Sequence, residues 1–224
     1  MYNNSHIHSA ISLIDTFAVS IHVMGVGEPM CVPQPPIPSW GSAYAGVLED
    51  DMVGYYTFDD TLDSSLDSAL HGTVGGGSVA YLDGKVGRAL TLDGVDDYVA
   101  LPNVADFNFG AGDFTITFWY RVSGDQSGTP AIITNKDWNS GLNPGWLLGN
   151  FGSGYNGDDL SINLSDGNVR VDSSSAMDVA FNEWHFVAMR IKRGGMMSLL
   201  RSSGGDYSLQ EEEIDSLSGS VDSG

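Results

Sequence analysis

An all-β fold, an antiparallel β-sandwich, is what this sequence predicts, on three observations. In Phe114-Thr115-Ile116-Thr117-Phe118-Trp119-Tyr120 the large apolar residues fall on one face and the threonines and the tryptophan on the other. That period of two marks a strand with one face more deeply buried. The pattern recurs in Leu160-Ser161-Ile162-Asn163-Leu164 and in the long run from Glu183 to Lys192. Between such runs stand Asp83-Gly84, Asp93-Gly94, Asp166-Gly167 and Gly194-Gly195, the residue pairs that reverse a chain tightly. Many short strands at close intervals build a sandwich or jelly roll, not a helical or α/β fold.

In chain order, residues 1–52 differ from the rest. The apolar run from Ile11 to Ile21 reads equally as a short helix or as a strand pair. The stretch Pro29 to Pro38 is too rich in proline for helix or central strand and reads as a stiff connector. Residues 1–52 are therefore expected to form an extended N-terminal arm with a Pro-rich linker, and residues 53–224 the sandwich domain.

The domain opens with a strand at Val53 to Phe58, followed by a loop rich in Asp, Ser and Gly from Asp59 to Gly77. Strands follow at Val79–Leu82, Val86–Leu92, Tyr98–Leu101 and Phe114–Val122. After a polar loop come Ala131–Thr134, Trp146–Asn150, Leu160–Leu164, Asn168–Val171, Glu183–Lys192 and Met196–Arg201. The remainder, including Glu211-Glu212-Glu213, reads as a solvated polar tail.

Composition narrows the partners. The chain has 224 residues, with 29 acidic and 9 basic side chains and a formal net charge of −20. Such a surface repels phosphate backbones and anionic membranes, so nucleic acid and membrane are not expected partners. Cys31 is the single cysteine, which leaves no intrachain disulfide and no Cys-rich metal site. The best N-terminal apolar run, Ala10 to Gly25, is interrupted by Asp15 and His22 and has no Lys or Arg before it, so no secretory signal is read there. The expected location is extracellular or on a virion surface reached without such a signal.

Several blocks carry a family resemblance. They are Gly54-Tyr55-Tyr56-Thr57-Phe58-Asp59; Gly87-Arg88-Ala89-Leu90 with Leu92-Asp93-Gly94-Val95-Asp96-Asp97-Tyr98-Val99; Gly112 to Trp119; and Asn182 to Ala188. In order and spacing they resemble the laminin-G-like, concanavalin A-like lectin and glucanase jelly roll, over roughly Val53 to Gly224. The resemblance implies a jelly-roll sandwich and says little about a ligand. Two departures follow from it. The hairpin expected after the Trp184-His185 block is degenerate, at Leu199 to Gly205, and the closing strands are missing. A sandwich without them exposes open edges. Either the sequence is a fragment, or another segment fills the gap, for which the N-terminal apolar segment and a neighbouring subunit are the two candidates.

No catalytic set is legible. Glycan hydrolases on this fold need two closely placed carboxylates on one strand face, and no Glu-x-Asp-x-Glu run occurs. His185 reads as a structural partner near the core rim, and the expectation is no enzyme activity. Binding is read instead in the loop Asn135 to Trp146. There Trp138 and Trp146 offer rings to sugar faces, and Asp137, Asn139 and Asn143 offer partners for hydroxyls. Tyr155 belongs to a secondary candidate, Tyr155 to Asp159. The same oxygen-bearing side chains suit calcium. In relatives resembling pentraxins an acid–amide pair in the equivalent loop binds calcium, and the resemblance implies Asp137 and Asn139 for that role. Asp93-Gly94-Val95-Asp96-Asp97 reads as turn chemistry rather than a metal site.

Three functions are expected from this. The first is a non-catalytic carbohydrate-binding and adhesion module. The second, compatible with it, is a phage tail or capsid decoration protein, joined to other subunits through the arm or the incomplete sheet edge. The third is an accessory domain of a secreted glycan-degrading hydrolase or sulfatase.

Overall fold

The computed structural model describes residues 10–12, 21–25, 52–102, 107–124, 131–136, 141–150, 159–173 and 177–223; for the first two stretches it describes the backbone. Apart from one 3-10 turn at Ser68–Leu70, the regular structure of these residues is all strand. In chain order the strands are β1 (Ala10–Ser12), β2 (Ile21–Gly25), β3 (Met52–Tyr56), β4 (Thr73–Gly75), β5 (Ala80–Asp83), β6 (Arg88–Thr91), β7 (Tyr98–Ala100) and β8 (Phe114–Tyr120). There follow β9 (Ala131–Thr134), β10 (Gly145–Asn150), β11 (Asp159–Ser165), β12 (Arg170–Asp172), β13 (Met177–Asp178), β14 (His185–Ile191), β15 (Met196–Ser203) and β16 (Asp206–Glu213).

Every pairing is antiparallel. The first sheet runs β12-β11-β10-β9-β1-β7-β4, with β13 beside β11; the second runs β16-β15-β14-β8-β2-β3; β5 and β6 form a separate ribbon. The two large sheets bury their inner faces against each other, as a sandwich requires. Phe114, Ile116, Phe118 and Tyr120 of β8 meet Trp146, Leu148, Leu160, Ile162 and Leu164 from the opposite sheet in one core. The residues between them on β8 stay partly exposed, so the sequence alternation is the burial alternation. This is the predicted all-β antiparallel sandwich.

N-terminal strands fill the interior of both sheets. β1 lies between β7 and β9, and β2 lies between β3 and β8, with His22 in register with Tyr55 on one side and Thr117 on the other. Two segments of the expected arm thus sit inside the sheets, and the ambiguous run from Ile11 to Ile21 contributes strand at its start and end. Of the two expected fillers of the gap, the N-terminal segment occupies central positions in both sheets. The Pro-rich stretch 29–38 lies outside the described residues.

The C-terminal part corrects two expectations. The hairpin expected to be degenerate is regular: β15 and β16 pair from Met196↔Glu213 to Ser203↔Asp206. Its turn is Gly204-Gly205, at φ 60° and 98°, a conformation that glycine adopts without steric cost. The segment after it is no solvated tail, because Ile214, Leu217 and Val221 are buried. Asp166 holds this segment through the N–H groups of Ser218 (3.1 Å) and Gly219 (2.8 Å), and Asn135 donates to the Val221 carbonyl at 2.9 Å. The Arg193 guanidinium donates to the Gly219 carbonyl.

Candidate functional site

The side chains of β10 and β11 point alternately to the core and to the outward face of the first sheet, yet nearly all are buried. On the outward side the register sets Thr134, Leu147, Asn163 and Asp172 in one row across β9, β10, β11 and β12. Gly145, Ser165 and Arg170 form the next row. Sequence reading could see the polar members of this face only as alternate positions of separate strands. Register makes them neighbours.

Lys136 leads into this face from the end of β9. Its aliphatic stem crosses Gly145, where an added Cβ would stand 2.5 Å from the Lys136 Cβ and 2.9 Å from its Cδ. Gly145 also holds φ 134°, so both space and backbone require glycine there. Lys136 is 4% exposed. Its ammonium donates one long hydrogen bond, 3.5 Å to the Asn143 carbonyl. Burial pushes the amine down to about 8, the Arg170 charge adds to that shift, and Asp172 opposes it.

Asp172 is gripped from two sides. Arg170 Nε lies 2.9 Å from one of its oxygens, and the Asn163 amide donates to the other at 2.5 Å. The Asp172 side chain is 46% exposed and that of Arg170 36%. The site therefore grades from an open charged edge at Arg170 and Asp172 to a buried amine at Lys136. The open edge, with a guanidinium and a carboxylate side by side, has donors and acceptors that suit a polyhydroxylated ligand. Farther along the same face, Asp159 and Asp178 stand directly opposite each other across β11 and β13.

The residues expected from sequence fare unevenly. Asp137, Trp138, Asn139 and Tyr155 lie outside the described residues, and with them the acid–amide pair expected to hold calcium. Asn143 is exposed and meets Lys136 through its carbonyl. Trp146 is corrected: it is 4% exposed and packs in the core, with ring centroids 5.7 Å from Phe114 and 6.3 Å from Phe109. It points inward because β10 alternates and its neighbour Leu147 takes the outward position, so it offers no ring to a sugar. Lys136, Asn163, Arg170 and Asp172 were missed. The signal for Asn163 was a polar residue at a strand position flanked by apolar ones; Lys136 gave none.

Asp93, Asp96 and Asp97 bring their carboxylates within 4.8 Å of one another. Asp97 accepts from the Gly77 and Asp93 N–H groups, and Asp93 from that of Val95, so these carboxylates build the turn. His185 is fully buried, its Nε2 donating to the Ala180 carbonyl at 2.9 Å; burial lowers its pKa.

Residues 93–200 match the Laminin G 3 family of the concanavalin A-like lectin/glucanases superfamily. The match runs from the Asp93 turn into β15 and takes in all of the polar outward face. Together with the paired sheets it bears out the jelly-roll resemblance and gives a fold of the carbohydrate-binding type. The lectin/glucanases superfamily embraces binding and cleaving proteins alike, so the choice between them falls to the site. No curated protein and no solved structure matches the chain. Among the described residues, no helix is long and apolar enough to cross a membrane.

Proposed function

We propose that this chain is a non-catalytic carbohydrate-binding and adhesion module whose ligand lies on the outward face of the first sheet. One observation carries the reading: Asp172, at the end of a row that register continues through buried Asn163, Leu147 and Thr134, and Arg170 beside it are partly exposed and make an open charged edge on a fold of the carbohydrate-binding type. Guanidinium and carboxylate groups held at this edge bind sugar hydroxyls with little ordering cost, because the strands already hold them in place. The Asp172 carboxylate is engaged by Arg170 and Asn163, which favours binding over proton transfer.

The wider setting in this proposal is an adhesive decoration of a virion, such as a phage tail or capsid, for which the acidic, soluble composition is the support. The alternative setting is an accessory domain of a glycan-degrading hydrolase or sulfatase. Calcium enters on residue type alone, at Asp137 and Asn139.

Retention on immobilised polysaccharides, with and without calcium, tests the reading. Retention that falls on Asn163→Ala supports it; no retention on any polysaccharide, or retention unchanged in that variant, refutes it. The opposing reading is hydrolysis at Asp159 and Asp178, which face each other in register. Release of new reducing ends by the wild-type chain, lost on Asp178→Asn, would establish cleavage and displace the non-catalytic assignment.

A further inference from the structure

We propose that β16 is a docking strand: its outer edge takes up an extended, basic segment of another protein as an added antiparallel strand. β16 lies in the second sheet, away from the face assigned to carbohydrate, so the two readings stand or fall separately. It ends that sheet, and among the described residues it pairs with β15 alone. The other strands at the ends of the two large sheets are shorter or covered. β4 and β12 have three residues each. β3 meets a bridge, Tyr56↔Ser64, and the Ser65 N–H donates to the Tyr55 carbonyl. β16 has eight residues, contains no proline and pairs without a bulge. Tyr207 is 72% exposed and Leu209 45%, so the strand is open to solvent.

The turn sets the phase of the backbone. Gly204 and Gly205 both hold positive φ, which makes the two-residue turn whose flanking pair, Ser203 and Asp206, exchanges hydrogen bonds. At the other end the Ile214 N–H donates to the Gly195 carbonyl at 2.8 Å, in the same phase. Asp206, Ser208, Gln210 and Glu212 therefore turn their backbone groups to β15, and Tyr207, Leu209, Glu211 and Glu213 turn theirs outward. A regular row of outward N–H and C=O groups is a template for another strand.

Charge decides the occupant. β16 carries Asp206, Glu211, Glu212 and Glu213 and no basic side chain. None of these four makes an ion pair among the described residues. A second copy laid antiparallel along the whole strand sets Asp206 against Glu213 twice, and like charges directly opposite are destabilising. A segment with basic residues opposite Glu211, Glu212 and Glu213 gains at each of them instead. Apolar residues opposite Tyr207 and Leu209 continue two rows of the outward face. One runs from Trp119 through Phe186 and Ser202 to Tyr207, the other from Ala188 through Leu200 to Leu209. Read from its own N-terminus, the added strand is three basic residues followed by alternating polar and apolar ones.

Titration of the full chain with the end-capped peptide Lys-Lys-Lys-Thr-Val-Thr-Val tests this. A second peptide of the same sequence is N-methylated at its first, third, fifth and seventh residues, whose N–H groups face β16 in the added strand. It keeps the charge and loses the hydrogen bonds. The unmodified peptide should bind about tenfold tighter than the methylated one, the scale of a few net hydrogen bonds. Amide shifts of the labelled chain should gather at Tyr207, Leu209, Glu211 and Glu213. Leu209→Pro removes one outward N–H and leaves the bonds to β15 in place, since proline is tolerated on an edge strand. That variant should lose the difference between the two peptides, and a thermal melt checks that it folds. The comparison on the wild type stands without it. Equal binding of the two peptides, binding of neither, or a difference that survives in folded Leu209→Pro overturns the proposal. A wild-type dimer in sedimentation that Leu209→Pro dissociates makes a second copy the occupant and overturns it likewise.

Discussion

Lys136 lies across Gly145 so closely that a Cβ on Gly145 would stand 2.5 Å from its own. Gly145→Ala would meet that contact and a backbone at φ 134° that alanine rarely adopts. The variant should lose about 2 kcal/mol of stability, since both the space and the conformation are wrong for a side chain. Urea denaturation measures it, and an unchanged midpoint would refute the packing described for the rim.

Lys136 itself should lower stability near neutral pH. Its folded value of about 8 is below the ordinary 10.5, so between those pH values the folded chain binds fewer protons than the unfolded one. Stability should rise with pH across that window. Lys136→Met, which keeps the stem and removes the charge, should be more stable by on the order of 1 kcal/mol at pH 7 and should lack that rise. Melting curves of both proteins from pH 7 to 10.5 decide it.

Asp166 pins the C-terminal segment to the β11–β12 turn. Burial alone would raise its pKa, but the N–H groups of Gly219, Val169, Asn168 and Ser218 outweigh that and hold it at about 2. A carboxylate depressed in the folded state stabilises above its unfolded value, and the contribution fades as pH falls through the folded one. Asp166→Ala should cost about 1 kcal/mol at pH 6, in line with exposed charge-assisted bonds. The difference from wild type should shrink between pH 4 and 2. Amide exchange at Ser218 and Gly219 should quicken in the variant.

His185 should be neutral at pH 7. Burial lowers its pKa, and the bond from Nε2 to the Ala180 carbonyl only partly opposes this. With the folded value below the ordinary 6.5, stability is full above pH 6.5 and declines as pH falls beneath it. Proton-detected titration of the imidazole should give a midpoint under 6.5; a midpoint at or above it would contradict the buried placement.

Much of the fold was legible because period-two alternation and Asp-Gly turns are local signals. β8, β11 and β14 are all of this kind. β16 was not legible: at the sheet edge its alternation is between exposed and half-exposed residues, and its acidic side chains read as a tail. β4, the short Thr73-Val74-Gly75, is mostly exposed and sits in a Gly- and Ser-rich stretch. β1 and β2 take their places by pairing with strands far away in the chain, and no local pattern encodes such partners. The site divides in the same way. Asn143 lies beside Lys136 through its backbone carbonyl, which residue type does not encode, Trp146 was misread because a ring in a rim segment says nothing about which way it points, and Lys136 became visible only once Gly145 lay beneath it.

The central claim is that carbohydrate binds the outward face of the first sheet. Amide chemical-shift mapping of the isotopically labelled chain, with an oligosaccharide from a retained polysaccharide, tests it most directly. Shifts gathered at Thr134, Lys136, Asn163, Arg170 and Asp172 are predicted. Shifts gathered instead on the opposite sheet, around Trp119, Phe186 and the 72% exposed Tyr207, would contradict it.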